Sequence, residues 1–405
     1  MRLRGSAVTR SLSLLGFVAL AAAIGDACSA GGGSGGSDGS GAQAAGVPTG
    51  GSNPFDAGFD AAGGEGPCVA QDFPGQLVPL DLYIMLDQSA SMSEETKWDS
   101  VTNALTTFIN SPQEPGLGVG MGFFPLPPPP GSIPTNCTTN TDCGLYGPCE
   151  AMLGHKCNGS FAPNTSCDPL DYDDAEVPIA ELTDPQRQLL LGAIAGHTPP
   201  NGDDTPTQPS IQGALAYAVV SAILNPTHLT YLVYATDGEP IGCTYNTIAE
   251  AANIAEQAAT GAPPVKTFVI GVSSGLSALN EIASKGGTGQ AYLVDTGPTA
   301  TQAFLDALVE IRSNGMCMFT IPMPPEGEPL YDHVNVVLTD PSNPDQKLTI
   351  YYVADEASCD PTDGGWYYDD PNDPHMIVLC PASCQKVRDT GWNISVAVGC
   401  TTIAR

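Results

Sequence analysis

Positive charge is scarce in this chain: 13 Lys and Arg stand against 44 Asp and Glu in 405 residues, a formal net charge of -31 at pH 7. So acidic a chain is repelled by nucleic acid and by anionic lipid surfaces, which sets both aside as partners. After Ile24 no apolar run approaches the about 20 residues that a membrane helix takes. No C-x-x-C pair occurs among the 13 cysteines, so their spacing argues against zinc and for disulfides. No internal repeat is visible. What is abundant is ordinary: 42% hydrophobic residues suffice for a core, and the length leaves room for two or three domains.

The N-terminus reads as an export signal. Arg2, Arg4 and Arg10 form a basic start, and Ser11 to Ile24 form an apolar run too short to span a bilayer comfortably. Gly25-Asp26-Ala27-Cys28-Ser29 follows and resembles a bacterial lipoprotein cleavage site, which implies lipidation at Cys28; simple secretion is the alternative. With Cys28 set aside, 12 cysteines remain, enough for six bridges in an oxidising compartment. Ser29, in place of an inner-membrane retention Asp, leans toward the outer membrane or cell surface. Residues 1–28 are thus the signal, and the Gly, Ser and Ala tract at 29–66 is a flexible tether.

From residue 67 strands alternate with helices. Leu80 to Leu86, Gly118 to Phe124, His228 to Ala235, Val265 to Val272 and Gln290 to Val294 have the short, mostly apolar character of buried strands. Helical patterns cover Trp98 to Ile109, Gln186 to Ala195, Ile211 to Leu224, Ile248 to Thr260, Leu276 to Ser284 and Thr301 to Arg312. The alternation predicts an α/β, doubly wound, mostly parallel sheet over 67–313. Two regions break the rhythm. A Pro-led insert at 125–175 carries Cys137, Cys143, Cys149, Cys157 and Cys167; at least one must pair outside it, with Cys68 or Cys243 as candidates. Residues 314–405 carry Cys317, Cys359, Cys380, Cys384 and Cys400 and read as a disulfide-braced β module, with strands at His333 to Leu338, Leu348 to Val353, Met376 to Leu379 and Trp392 to Val398.

The chemistry lies at the strand ends. Asp87-Gln88-Ser89-Ala90-Ser91 follows the first strand, and one carboxylate with two hydroxyls at alternating positions makes an oxygen-rich nest for a hard divalent cation. Asp237, in Thr236-Asp237-Gly238-Glu239, ends another buried strand, and Thr205-Pro206-Thr207 precedes the helix near Ile211. DxSxS, TPT and TDGE, in this order, resemble the metal-ion-dependent adhesion site of von Willebrand factor type A domains. The resemblance implies that Ser89, Ser91 and Thr205 coordinate the ion directly, with Thr207 the fallback for Thr205. Asp87 and Asp237 would act directly or through water, and one position would stay open for a ligand carboxylate. Mg²⁺ is the expected ion, with Mn²⁺ or Ca²⁺ as alternatives, Ca²⁺ favoured by the extra acidity of Asp203 and Asp204.

Gly271-Val272-Ser273-Ser274-Gly275 also fits the G-x-S-x-G nucleophile elbow, with Asp295 and His333 following in hydrolase order. Against it, His333 falls in the C-terminal module and the preceding strand suits the core of the type A fold. The expected function is therefore not enzymatic: a metal-dependent adhesion or protein-binding module on the bacterial envelope, whose partner presents an Asp or Glu carboxylate. The alternative is a structural envelope protein whose metal only stabilises the fold. The insert occupies the connection that leaves the metal-bearing end, so it is expected to flank the site.

Overall fold

In the computed structural model, residues 71–404 are described, apart from 113–115, 200–203, 274, 316 and 324–329. The expected signal with Cys28, the tether, Cys68, Asp203 and Ser274 lie outside the described residues.

The chain runs β1 (Gln71–Pro74), β2 (Leu80–Asp87), α1 (Lys97–Asn110) and β3 (Leu117–Phe124) into the insert, which holds a small ribbon of β4 (Cys149–Glu150) and β5 (Lys156–Cys157). It continues through β6 (Val177–Glu181), α2 (Asp184–Gly196), α3 (Thr207–Leu224), β7 (Leu229–Thr236), α4 (Ile248–Ala259), β8 (Lys266–Gly271), α5 (Leu279–Lys285), β9 (Tyr292–Leu293) and α6 (Ala300–Gly315). The C-terminal module follows: β10 (Met318–Thr320), β11 (Val334–Asp340), β12 (Asn343–Ile350), β13 (Trp366–Tyr368), β14 (Met376–Leu379), α7 (Pro381–Thr390) and β15 (Asn393–Val398).

Every residue of β2 and of β3 is buried, because both strands lie inside a sheet that is covered on its two faces. The sheet order is β6-β3-β2-β7-β8-β9, with all neighbours parallel except β6, which runs antiparallel at one edge. Side chains alternate along a strand, so β2 supplies two cores at once. Leu82, Ile84 and Leu86 join Val101, Leu105 and Phe108 of α1 and Phe304 and Leu308 of α6. Tyr83 and Met85 join Ile211 and Leu215 of α3, with Ala251 and Ala255 of α4, on the other face. The expected doubly wound, mostly parallel sheet is therefore present. Its elements match the sequence reading closely, with β9 shorter and β6 an edge strand that the pattern did not reveal.

The C-terminal strands are antiparallel, in sheets ordered β1-β15-β11-β12 and β10-β14-β13. Their core packs Phe319, Val336, Leu338, Trp366, Ile377 and Val396. Three features differ from the sequence reading. Strand β1, inside the segment assigned to the first domain, pairs with β15 and completes the module's sheet. The strand expected at Leu348 to Val353 is instead Asn343–Ile350; its pairing with β11 ends at Ile350, and Tyr352 and Val353 turn away to bond Ile403 and Trp366. Helix α7 follows β14 directly, started by Pro381 at its first position, and it carries Cys384 into the core.

Disulfides join Cys137–Cys149, Cys143–Cys157, Cys167–Cys243, Cys317–Cys384 and Cys359–Cys380, and Cys400 is also disulfide-bonded. Cys137, Cys143 and Cys149 lie close together, but all three are oxidised, so they do not form a metal site. A chain stapled in this way belongs to an oxidising compartment. Among the described residues no helix is long and apolar enough to cross a membrane.

Candidate metal centre

Strands β2 and β7 are parallel neighbours in register from Leu80 opposite Leu229 to Leu86 opposite Ala235. They therefore stop together, and Asp87, Thr236 and Asp237 emerge at one carboxyl edge, where open α/β sheets present their ligand crevice. The chain leaves β2 through a short irregular turn over Ala90–Thr96, which keeps Ser89 and Ser91 at the same edge.

Hydrogen bonds then lock the constellation. Asp87 is fully buried: its Oδ1 accepts the Ser89 N–H at 2.7 Å, and its Oδ2 accepts the Thr236 hydroxyl at 2.6 Å. The Ser89 and Ser91 hydroxyl oxygens stand 3.2 Å apart, and Ser91 Oγ donates to Asp237 Oδ1 at 2.8 Å. The other Asp237 oxygen accepts from Lys97 Nζ at 2.9 Å. Thr205 is buried, and its carbonyl is held by the N–H of Ile241 at 3.0 Å and the side-chain amide of Asn246 at 2.9 Å. Its hydroxyl faces Gly238: a Cβ placed there would lie 3.5 Å from Thr205 Oγ1 and meet nothing else within 4 Å. Thr205 therefore stands beside the turn that carries Asp237. Asp87, Ser89, Ser91, Thr205 and Asp237, separated by as many as 150 positions in sequence, meet at one edge of the sheet.

The electrostatics are those of a site short of positive charge. Burial, and after it the Asp237 carboxylate, push the Asp87 carboxyl well above the ordinary carboxylate range; hydrogen bonds from Thr236 and Ser89 oppose this without cancelling it. A hard divalent cation would relieve that strain, and the donor set fits one: three neutral hydroxyl oxygens and two carboxylates, with no nitrogen or sulfur ligand among them. Thr207, the fallback for Thr205, is wholly buried beside the Tyr234 hydroxyl instead. The Asp204 carboxylate packs against Gly242 in the loop after Asp237, and its N–H donates to Thr165 Oγ1 at 3.1 Å. Burial raises the Asp204 carboxyl above its ordinary value too.

Three contributors to the site were not apparent from the sequence. Thr236 clamps Asp87, Lys97 clamps Asp237, and Asn246 fixes the Thr205 loop by also donating to Ile241 O at 2.9 Å. The order of TDGE places Thr236 beside the aspartate, but only the register of β2 against β7 aims its hydroxyl at Asp87. Gln88 carries a fourth contact: its Oε1 stands 2.7 Å from His197 Nδ1, and the His197 ring stacks on Phe123 at 3.8 Å.

The insert reaches this edge. Cys167–Cys243 bonds it to the loop after Asp237, and within that loop Thr244 N–H donates to Leu145 O at 2.8 Å. Leu145 of the insert and Ile241 and Tyr245 of the loop are exposed near this junction. The hydrolase constellation gains no comparable support: His333 sits at the start of β11 with its Nδ1 2.8 Å from Asp332 Oδ1.

No known family profile and no curated protein matches the chain in sequence. Solved structures match it distantly. Proximal thread matrix protein 1 from the mussel byssus aligns over 59% of this chain and 47% of its own, at 14% identity and a TM-score of 0.36. The chain therefore spans about half the length of that protein. The SpRpn10 VWA domain aligns over 56% of this chain and 93% of its own, at 11% identity and a TM-score of 0.34. Manganese-loaded Plasmodium vivax TRAP protein aligns over 78% of this chain and 98% of its own, at 12% identity and a TM-score of 0.34. Likeness this distant carries no weight for function, which rests on the sheet edge and the side chains gathered there.

Proposed function

We propose that the chain is an adhesion or protein-binding module of the von Willebrand type A kind, displayed on the bacterial envelope and dependent on a divalent cation. The observation that carries this reading is the meeting of Asp87, Ser89, Ser91, Thr205 and Asp237 at the carboxyl edge of β2 and β7. Ser89, Ser91 and Thr205 would hold the ion through their hydroxyl oxygens. Asp87 and Asp237, each already engaged by protein donors on both oxygens, would act mainly through water. Mg²⁺ is the first choice, with Mn²⁺ and Ca²⁺ as alternatives. When bound, the ion supplies a positive point that accepts one carboxylate oxygen from a partner's Asp or Glu. Around that point Leu145, Ile241 and Tyr245 would supply apolar contact, so the insert shapes partner choice. An N-terminal lipid on Cys28, with the tether at 29–66, would present the module at the outer membrane or cell surface.

The test is water-proton relaxation of the Mn²⁺-loaded oxidised chain during titration with a short Asp-containing peptide. The reading expects the peptide to displace metal-bound water and lower the enhancement, and Asp87→Ala to remove Mn²⁺ uptake. Mn²⁺ uptake with no response to the peptide would leave the ion structural, and the envelope-scaffold alternative would take over.

A further inference from the structure

We propose that Lys97 is a resident cation of the metal centre, holding Asp237 in place without a divalent ion and lowering the affinity for that ion by sharing its carboxylate. The inference rests on the metal-binding reading above and adds the residue that tunes it.

The placement of Lys97 is unfavourable in three local respects. Only 7% of its side chain is exposed, and a buried ammonium is costly unless it is paired. It opens α1, where the helix dipole favours acidic residues over basic ones. The two residues before it, Glu95 at φ 50° and Thr96 at φ 61°, both take the left-handed backbone that residues with a Cβ avoid. All three costs are borne for two contacts: Lys97 Nζ lies 2.9 Å from Asp237 Oδ2, on a side chain with no exposure, and 3.3 Å from the Ser91 carbonyl. Glu94 also approaches Lys97 at 4.0 Å, but from solvent. A residue whose burial, helix position and preceding backbone all oppose it, yet which reaches between two proposed ion-holding residues, is placed for the site.

The charge balance gives the consequence. Asp87 and Asp237 contribute two negative charges when ionised and Lys97 one positive, so a divalent ion leaves the centre with one positive charge. That surplus favours an incoming carboxylate. Without Lys97 the loaded centre would be neutral: it would hold its ion more tightly and a carboxylate less well. A merely structural role for Lys97 predicts the reverse for the ion, since loss of the clamp would disorder Asp237 and weaken binding.

The experiment is calorimetric titration of Mn²⁺ into the oxidised wild type, Lys97→Met and Lys97→Arg, with thermal melts of each in ion-free buffer. Lys97→Met is expected to bind Mn²⁺ about tenfold tighter and to melt at a lower temperature without ion. Lys97→Arg, which keeps the charge, is expected to stay near wild-type affinity. Equal or weaker affinity in folded Lys97→Met overturns the proposal while leaving the metal centre intact. Should the wild type bind no Mn²⁺ and Lys97→Met bind it, the role of Lys97 stands and the wild-type metal reading falls. If neither binds, both fall. Lys97→Gln, whose amide still donates to Asp237 without charge, replaces Lys97→Met if that variant does not fold, with the same expected direction.

Discussion

The α/β body and the insert it carries are held together by opposite means. The body buries apolar side chains on both faces of a six-stranded sheet, with Leu82, Ile84, Leu86, Tyr83 and Met85 of a single strand serving two cores. The insert's own apolar cluster is small, gathered around Cys137, Cys143 and Cys157, while its buried Tyr172 joins the body's core; two internal disulfides and a third to the body add to this. Segments that bury little apolar surface need covalent staples. The difference divides labour at the site: the body fixes Asp87 and Asp237 by strand register, whereas the insert and the loop it grips set the surroundings through cross-links.

The largest break in that comparison is expected from the body. Ile84→Ala, at a wholly buried position in the central strand, should cost about 2–5 kcal/mol in denaturant unfolding, since it opens a cavity with no room to relax. Next comes the staple between the two regions. Replacing Cys167 and Cys243 together by Ala removes a link across 76 residues and should cost about 2–4 kcal/mol. Limited proteolysis should then cut the insert and the 238–247 loop while sparing the sheet; equal protection of both regions would show that the insert stands without its staple.

Asp87 gives a subtler separation. Its carboxyl is held above the ordinary range by burial and by Asp237, so its ionisation opposes the ion-free fold. The sign follows: Asp87 adds most to stability below the ordinary carboxylate range, and that contribution is lost as pH rises toward the raised value. In ion-free buffer Asp87→Asn should flatten this decline in melting temperature with pH, and it should abolish ion binding. The smallest effect belongs to the insert. Asp142 is pushed down to about 2 by hydrogen bonds from the Thr138 hydroxyl and the N–H groups of Thr138 and Thr139. Its depressed value means the opposite sign: its support is present above the ordinary carboxylate pKa and is lost as pH falls through about 2. Amide exchange at Thr138 and Thr139 should report that loss, and Asp142→Asn should show fast exchange at neutral pH.

The body and the C-terminal module differ in how far their sequence can be read. The body was legible because burial leaves a period: β2, β3, β7 and β8 are apolar runs, and α1 shows one apolar face. The DxSxS and TDGE motifs follow adjacent parallel strands whose register brings them together, whereas Thr205 precedes α3 and its loop is held by Ile241 and Asn246. Edge strand β6 leaves no apolar period, since only Val177 of its five residues is buried. Helix α7 was hidden by a polar sequence, Pro381–Thr390, anchored by Ser383 and Cys384. The pairing of β1 with β15 joins positions more than 300 residues apart, which no local pattern encodes. Lys97 is illegible for a related reason: its reach to Asp237 depends on the left-handed turn at Glu95 and Thr96, and neither residue type signals one.

The measurement that bears most directly on the metal centre is calorimetric titration of Mg²⁺ into the oxidised chain, beside Asp87→Ala and Asp237→Ala. A single stoichiometric site in the wild type, lost in both variants while each stays folded, is the predicted result. Absence of binding in the folded wild type, or binding that survives both substitutions, would contradict it and turn attention from the sheet edge to the C-terminal module.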